Sequence, residues 1–381
     1  MPATQPNERD ERFMARAIEL ARRATGRTRP NPLVGCVIVR DGEIVGRGFH
    51  ARAGDAHGEV AAIEDADGDL EGCELFVNHE PCCHYGRTPP CTDAILDTGI
   101  ERVVVGTIDP DPRVRGKGIE TLRAAGIEVV CGVLEEESRR LNAPFFKYIR
   151  HRLPWVAAKW AMSLDGKIAT HAGDSRWITG ETARRRVHRL RDHHDAILVG
   201  TGTLLADDPR LTCRLDDGRD PVRFVVDAAL QAPADHRVFQ HDSDAPTVVL
   251  ASEEADHSRR DRFAGADVDV VTVAADDNGW LNPRGILEAI SERELLSVLV
   301  EGGGTLLGSL FDAELVDYVY GFVAPRLIGG ADAPTPFDGH GIDSMNMSRR
   351  LTDPVVEQLG DDVLIHGPVG ELPTAPDPEE V

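Results

Sequence analysis

His57-Gly58-Glu59 opens the stretch that decides the fold, and Glu80-Pro81-Cys82 and Cys91 complete it. A structural zinc site usually has four protein ligands, whereas a catalytic one has three and leaves the fourth position for water. Here His57, Cys82 and Cys91 make three. Glu59 is only two residues from His57, so a helix starting there aims both side chains into one pocket. Zinc held by such a trio can lower the pKa of water from about 15.7 toward 7. The carboxylate can then take the water proton and pass it on. Spacing leaves two alternatives open: Cys83 in place of Cys82, or Cys83 or His84 as the fourth ligand of a purely structural site. Cys36, Cys73, Cys131 and Cys213 read as buried small hydrophobes.

Outward from that stretch, residues 9–24 carry Phe13, Ala17, Leu20 and Ala21 at helical spacing. The eight residues at the start read as disordered. Residues 33–40 and 43–50 read as strands around Asp41-Gly42, a hairpin signal. A helix over 59–66, a short strand over 74–78 and a helix over 91–98 stopped by Gly99 follow. Residues 102–108 and 127–133 are apolar strands, with a helix ending at Gly126 between them. A hairpin followed by alternating helix and strand predicts a three-layer α/β/α sandwich. Residues 135–150 are charged apart from Phe145-Phe146 and read as helical up to Pro144.

A chain of 381 residues is too long for one typical domain. A linker near 150–154 divides it into domains at 9–150 and 154–370. The second alternation begins at 155–161, with later strands at 196–200, 222–227, 247–251, 268–273 and 297–300. Residues 317–366 read as β-rich and 371–381 as a disordered Pro- and Glu-rich tail. Both halves are therefore α/β in class.

The net charge is −23, from 65 acidic and 42 basic residues, which argues against nucleic-acid binding. No run approaches the roughly 18 apolar residues of a membrane helix. The polar N-terminus lacks the apolar core of a secretory signal. Seven cysteines, three of them between positions 82 and 91, favour metal chemistry in a reducing cytoplasm over a disulfide framework. The expected partner is a small molecule, with neither nucleic acid nor membrane.

The H-x-E…P-C…C pattern is similar to that of zinc-dependent nucleobase deaminases. Longer runs narrow the resemblance. They are Thr28-Arg29-Pro30-Asn31-Pro32-Leu33-Val34-Gly35, Gly48-x-His50, His57-x-Glu59 and Glu80-Pro81-Cys82-x-His84-x-Gly86-Arg87-Thr88-Pro89-Pro90-Cys91. Together they resemble the bifunctional deaminase–reductases of riboflavin biosynthesis, over nearly the whole chain. That resemblance implies a cytidine-deaminase-like α/β/α sandwich followed by a dihydrofolate-reductase-like α/β domain. It implies a substrate that is a pyrimidine ribosylamine phosphate, with Zn2+ and NADPH as cofactors, and a homo-oligomer is expected. Asn31 and His50 would contact the base or ribose, and His84 and Arg87 the phosphate end. Asn31 as a turn residue and His50 as a surface residue at a strand end are the plainer alternatives. Two positions depart from the family pattern. Gly58 replaces the usual Ala and should loosen the helix start. His79 replaces an apolar residue and offers an unintended ligand or a proton relay.

In the second half the resemblance rests on five runs. These are Asp165-Gly166-Lys167, Gly173-Asp174-Ser175-x-Trp177-Ile178-Thr179, Asp195-Ala196-Ile197-x-Val199-Gly200, Leu205-Ala206-Asp207-Asp208-Pro209-x-Leu211-Thr212 and Val300-Glu301-Gly302-Gly303-Gly304. A strand ending in three glycines before a helix lets backbone N–H groups approach a diphosphate. No G-x-G-x-x-G is present, so this is not a Rossmann reading. The resemblance places NADPH on Ala161, Trp177, Thr203, Asp207, Gly303, Gly304, Thr305, Leu306, Leu307, Gly308 and Ser309. It places the ribosylamine on Ser175, Arg191, Leu211, Arg214 and Glu301, with Lys159 and Asp165 shaping the sugar pocket. Arg191 and Arg214 suit phosphate, which guanidinium pairs bidentately. Arg191 as one of several solvated arginines on a helix is the plainer alternative. Two functional alternatives also stand: a deaminase with a degenerate second domain, and a non-catalytic zinc-stabilised scaffold.

Dense surface carboxylate reads either as ordinary solubility or as adaptation to high salt. In the second case self-repulsion destabilises the fold at low ionic strength. At about 1 M salt the Debye length is near 3 Å and that repulsion is screened. The thermal midpoint is then expected to rise substantially from dilute buffer to molar KCl, in melting curves across that range. A flat or falling midpoint reduces the charge to solubility.

Overall fold

Asn7 starts the first helix, its side-chain oxygen accepting the N–H groups of Arg9 and Asp10 at 3.0 Å each. The computed structural model describes residues 7–86, 89–240, 243–263 and 268–372. The chain divides into two compact units between Arg152 and Leu153. The expected disorder of the first eight residues is corrected at positions 7 and 8, which cap and begin that helix. Residues 1–6, and 373–381 of the expected tail, lie outside the described residues.

The first unit runs α1 (Glu8–Arg22), β1 (Gly35–Arg40), β2 (Glu43–Phe49), α2 (Gly58–Asp65), β3 (Glu74–His79), α3 (Cys91–Leu96), β4 (Arg102–Thr107), α4 (Lys117–Ala124), β5 (Glu128–Cys131), α5 (Glu135–Leu141) and α6 (Ala143–His151). Its strands order as β2-β1-β3-β4-β5, the first two pairs antiparallel and the rest parallel. Side chains alternate between faces along each strand. One face packs Ile38, Leu75 and Val103 against Ala62, Ile95 and Leu122 of α2, α3 and α4. The other packs Val37, Phe76 and Val104 against Phe13, Met14 and Ala17 of α1. The three layers are those the alternation predicts. Helix and strand backbones nearly touch at three glycines, Gly35, Gly46 and Gly48. A Cβ on Gly35 would lie 2.1 Å from Ala17 O, and one on Gly48 would lie 2.2 Å from Ala62 N. Gly48 therefore lets α2 lie flat on β2, and α2 carries the site residues at its start.

Pro144 does not end a helix, as the sequence reading had it. It sits in the first turn of α6, where a missing N–H costs no helical hydrogen bond.

The second unit runs β6 (Trp155–Ser163), α7 (Glu181–His193), β7 (Ala196–Gly200), α8 (Thr201–Asp207), β8 (Val222–Val226), β9 (Thr247–Ala251), α9 (His257–Arg260), β10 (Val268–Thr272), α10 (Pro283–Ser291), β11 (Ser297–Val300), α11 (Gly304–Asp312), β12 (Tyr318–Ala324), β13 (Val355–Leu359) and β14 (Asp362–Pro368). The strands form one nine-stranded sheet, ordered β10-β9-β8-β7-β11-β6-β12-β14-β13. From β10 to β12 every pairing is parallel; β14 and β13 close the sheet antiparallel. The carboxyl ends of β6, β7, β8, β9 and β11 thus open on one edge, where open α/β sheets bind ligands. The expected β-rich end is corrected in its middle. Between β12 and β13, residues 325–354 hold only a short 3-10 turn, Met345–Met347, and an isolated bridge at Leu351.

Candidate active site

In the first unit, His57 immediately precedes α2 and Cys91 begins α3. Their helix starts bring both side chains to Cys82, which follows β3. His57 Nδ1 lies 3.2 Å from Cys91 Sγ and 3.6 Å from Cys82 Sγ, and the three ligand atoms fall within 4.8 Å of one another. Cys91 N–H donates to Cys82 Sγ at 3.3 Å. Hydrogen bonds from Cys91 and then His57 hold the Cys82 thiol low, at about 4. One nitrogen and two sulfurs, partly to fully buried, are a donor set suited to zinc. Cys83 is not in the group: its Sγ lies 3.9 Å from Arg113 O.

Glu59 is buried in the first turn of α2, and its Oε2 has no partner among the described residues. Burial pushes its carboxyl up to about 7 against the lowering influence of His57. Gly58 is tightly placed: a Cβ there would come 2.9 Å from Val34 O. Its absent side chain serves the approach of the 31–35 turn, which the expectation of a loosened helix start had missed.

His50 is buried at the end of β2, not on the surface, and its ring meets that of His57 edge-on at 4.9 Å. Its Nδ1 donates to Ala56 O at 3.1 Å, so Nε2 accepts from Asn31 Nδ2 at 3.1 Å. Burial lowers the His50 pKa and keeps the ring neutral. Asn31 and His50 therefore stand as a pair beside the trio. His84 is half-buried with Nδ1 unpartnered among the described residues. Arg87 lies outside the described residues. His79 is not among the grouped ligands: its Nε2 pairs with Asp109 at 3.0 Å, and its ring packs edge-on against Phe145 and Phe146.

Three positioning residues escaped the sequence reading. Asn78 donates to Leu33 O and accepts from Gly35 N, and Asn142 binds both Leu33 N and Leu33 O. Together they hold the turn that carries Asn31. Buried Glu80 accepts N–H groups from Asp109, Gly116, Gly118 and Ile119, fixing loop 109–119 beside Cys82. For Asn78 and Glu80 the available signal was a polar residue at the end of an apolar strand; Asn142, between two helices, carried none.

In the second unit, Glu301 follows β11 and faces Lys159 of β6 and Arg191 of α7. Arg191 Nε and Nη2 donate to the Glu301 carboxylate at 2.7 and 3.0 Å, and Lys159 Nζ lies 3.3 Å away. Burial alone would raise Glu301; Arg191 and Lys159 hold it down at about 2. Arg191 Nη1 donates to Thr212 O. The guanidinium is thus buried and engaged by protein groups, which removes the solvated-helix alternative. Arg214 is exposed, with Arg191, Arg210 and Arg237 as like-charged neighbours that lower it further after burial. Leu211 is buried at φ +57°. Ser175 Oγ donates to Asp207 Oδ1 at 3.2 Å. Trp177 is exposed, with the Arg184 guanidinium 4.6 Å over its ring. Ala161 pairs with Phe322 within the sheet. Asp165 accepts from Ser163 Oγ and from the N–H groups of Ile328 and Gly329, so it fixes a turn.

Gly303 caps α11, and a Cβ there would stand 3.3 Å from Thr203 Oγ1. The first N–H groups of the helix have no intrahelical acceptor. Gly304 and Gly308 face another way: Cβ atoms there would come within 2.6 Å of Asp338 Oδ2 and 2.2 Å of Asp338 O. Thr305 Oγ1 bonds the same carboxylate, and Leu306 and Leu307 are core residues. Ser309 Oγ donates to Leu306 O. Of the seven residues from 303 to 309, Thr305 is exposed and Gly303 and Ser309 are half-buried.

No helix among the described residues is long and apolar enough to cross a membrane. A profile of the cytidine and deoxycytidylate deaminase zinc-binding region matches residues 7–107, and one of the RibD C-terminal domain matches 154–365. Riboflavin biosynthesis protein RibD of Actinobacillus pleuropneumoniae is 43% identical over 353 residues, 93% of each chain. RibD of Aquifex aeolicus is 41% identical over 94% of this chain and 98% of its own. The crystal structure of a diaminohydroxyphosphoribosylaminopyrimidine deaminase/5-amino-6-(5-phosphoribosylamino)uracil reductase from Thermotoga maritima superposes with a TM-score of 0.83. That protein is 40% identical, covering 95% of this chain and 99% of its own. With likeness of this extent across both units, the chain belongs to the RibD family of bifunctional deaminase–reductases of riboflavin biosynthesis.

Proposed function

We propose that residues 9–150 deaminate 2,5-diamino-6-ribosylamino-4(3H)-pyrimidinone 5′-phosphate by hydrolysis. Residues 154–370 then reduce the ribosyl group of the product to ribityl with NADPH. The observation that carries the first step is the trio of His57, Cys82 and Cys91 beside buried Glu59, whose Oε2 has no partner among the described residues. Zinc, when bound by that trio, supplies the Lewis acidity that makes water nucleophilic near neutral pH. Glu59 takes a proton from the attacking water and gives it to the ring nitrogen; a second proton, from the hydroxyl so formed on the ring carbon, passes through the same carboxyl to the amino group, which leaves as ammonia while the ring carbonyl forms. A carboxyl pushed up to about 7 can do both near neutrality. Asn31 Nδ2 is committed to His50, which leaves Asn31 Oδ1 to accept from the pyrimidine. His84 and Arg87 serve the phosphate end.

In the second unit Arg191 fixes Glu301, and Glu301 with Lys159 orients the opened ribosylamine. NADPH, when bound, supplies the hydride that reduces the imine carbon. Phosphate recognition falls to Arg214 and not to Arg191, whose fork Glu301 and Thr212 occupy. Ser175 and Leu211 line the same substrate. Trp177, Ala161, Thr203, Asp207 and the Gly303 turn line the cofactor. The cytoplasm is its place of action, as a homo-oligomer.

A coupled assay on the full chain tests both steps: ammonia release first, then NADPH oxidation on the deaminated product. Glu59→Gln removes the proton carrier and no ligand. Zinc content by elemental analysis should stay stoichiometric, deamination should fall by about 100-fold or more, and NADPH oxidation on supplied aminouracil should persist. Deamination near wild type removes Glu59 from the mechanism.

Removing one partner of a buried ion pair costs about 3–5 kcal/mol. Arg191→Gln is therefore expected to lower the thermal midpoint and reductase turnover while ammonia release is retained. Equal loss of both activities would mean that Arg191 supports the whole chain and not the reductase site.

A further inference from the structure

Arg259 and Arg262 have no part in either reaction described above. With Ser258 and Gln231 they line an open cleft of about 570 Å³ in the second unit. Arg259 Nη1 donates to Ala229 O at 2.9 Å and Arg262 Nη2 to Leu230 O at 2.5 Å. Arg262 Nε reaches Arg259 O at 3.4 Å. Each guanidinium is thus anchored by part of its fork. Neither forms an ion pair with a carboxylate among the described residues.

The cleft lies on the same edge of the sheet as the Gly303 turn, and a continuous set of contacts joins the two. Gly303 abuts Thr203 of α8. Thr201, at the start of α8, donates to Val226 O at 2.7 Å and lies 3.3 Å from Asp227 Oδ1. Asp227 accepts from Gln231 N at 2.9 Å and Ala232 N at 2.7 Å, shaping the loop after β8 that the two arginines clamp. β11, β7, β8 and β9 are successive neighbours. At about 4.8 Å per strand, the arginines stand roughly 10–15 Å from the Gly303 turn.

We propose that Arg259 and Arg262 bind the 2′-phosphate of NADPH and set the preference for it over NADH. The proposal rests on the assignment of NADPH to the Gly303 turn. A cofactor whose diphosphate sits there extends its adenosine along the strand ends toward β8 and β9. A 2′-phosphate is a dianion with three acceptor oxygens, and guanidinium matches it in shape and charge. NADH presents only a hydroxyl at that position. In Rossmann sites, a different fold, a carboxylate accepts the ribose hydroxyl of NADH, which shows the chemistry an NADH-selective site uses. The carboxylate at the end of β8 is Asp227, which is buried and spent on Thr201, Gln231 and Ala232. Asp256, near in the chain, is engaged by the Ser258 N–H and hydroxyl. The cleft therefore offers two guanidinium groups to a phosphate and, among its lining residues, no carboxylate to a diol.

Calorimetric titration of the full chain with NADPH, NADH and 2′,5′-ADP tests this, on wild type and on R259Q/R262Q. Glutamine keeps a donor for the Ala229 and Leu230 carbonyls and removes the charge. The variant should bind NADPH about 10- to 100-fold more weakly, as expected for lost hydrogen bonds to a charged group. NADH affinity should be unchanged and 2′,5′-ADP binding lost. R259K and R262K should fall between wild type and the double variant. If the double variant melts early, these two lysine variants decide the outcome by the same NADPH-to-NADH ratio. Parallel loss for NADPH and NADH, or no loss for either, overturns the assignment. Wild type that binds neither dinucleotide overturns the NADPH reading itself, and the proposal with it.

Discussion

The amino-terminal unit depends on one constraint: two thiols, an imidazole and a carboxylate must share one largely buried pocket. Their ligand atoms lie within 4.8 Å of one another, and Glu59 is buried beside them. As anions the two sulfurs and the carboxylate would repel strongly at that distance, and burying unpaired charge is expensive. A divalent cation reconciles them. The protein, for its part, supplies rigidity. Gly48 lets α2 touch β2, Asn78 and Asn142 fix the turn bearing Asn31, and Glu80 fixes the loop beside Cys82. Each of these is a buried polar or backbone contact that leaves the ligands little freedom to drift.

The second unit solves a different problem with the same means. Lys159, Glu301 and Arg191 make a three-charge cluster at the carboxyl edge of the sheet. Such clusters contribute little net stability, because desolvation offsets the Coulomb gain. Their value lies in placement: Glu301 is held as an anion, in one orientation, at the end of β11. The adjoining Gly303 turn and the α8 start lie on the same edge of the sheet.

How far the sequence revealed this follows from where each signal lies. The metal trio was legible because its members sit at element ends, announced by Pro81, Pro90 and the His57-x-Glu59 pair. Asn78, Asn142 and Glu80 were not, since their partners lie as far as 109 residues away and no local period marks them. The five arginines of α7 look alike in composition. Helical spacing separates them: Arg191 is four residues after Val187, on the buried face. Pro144 misled because the same residue stops a helix in its interior and suits its first turn. Residues 325–354 misled because scattered apolar residues mimic strands. Phe337 among them packs on Trp160 and Phe311 without forming one. His79 looked like spare metal chemistry, and only the fold shows it paired with Asp109.

The central claim is that zinc is held by one imidazole and two thiolates with a fourth position left for water. X-ray absorption at the zinc edge, on the purified full chain, addresses it directly. The expected spectrum fits two sulfurs at about 2.3 Å and two lighter donors at about 2.0–2.1 Å. Three or four sulfurs would bring Cys83 into the shell, make the site structural, and contradict the account.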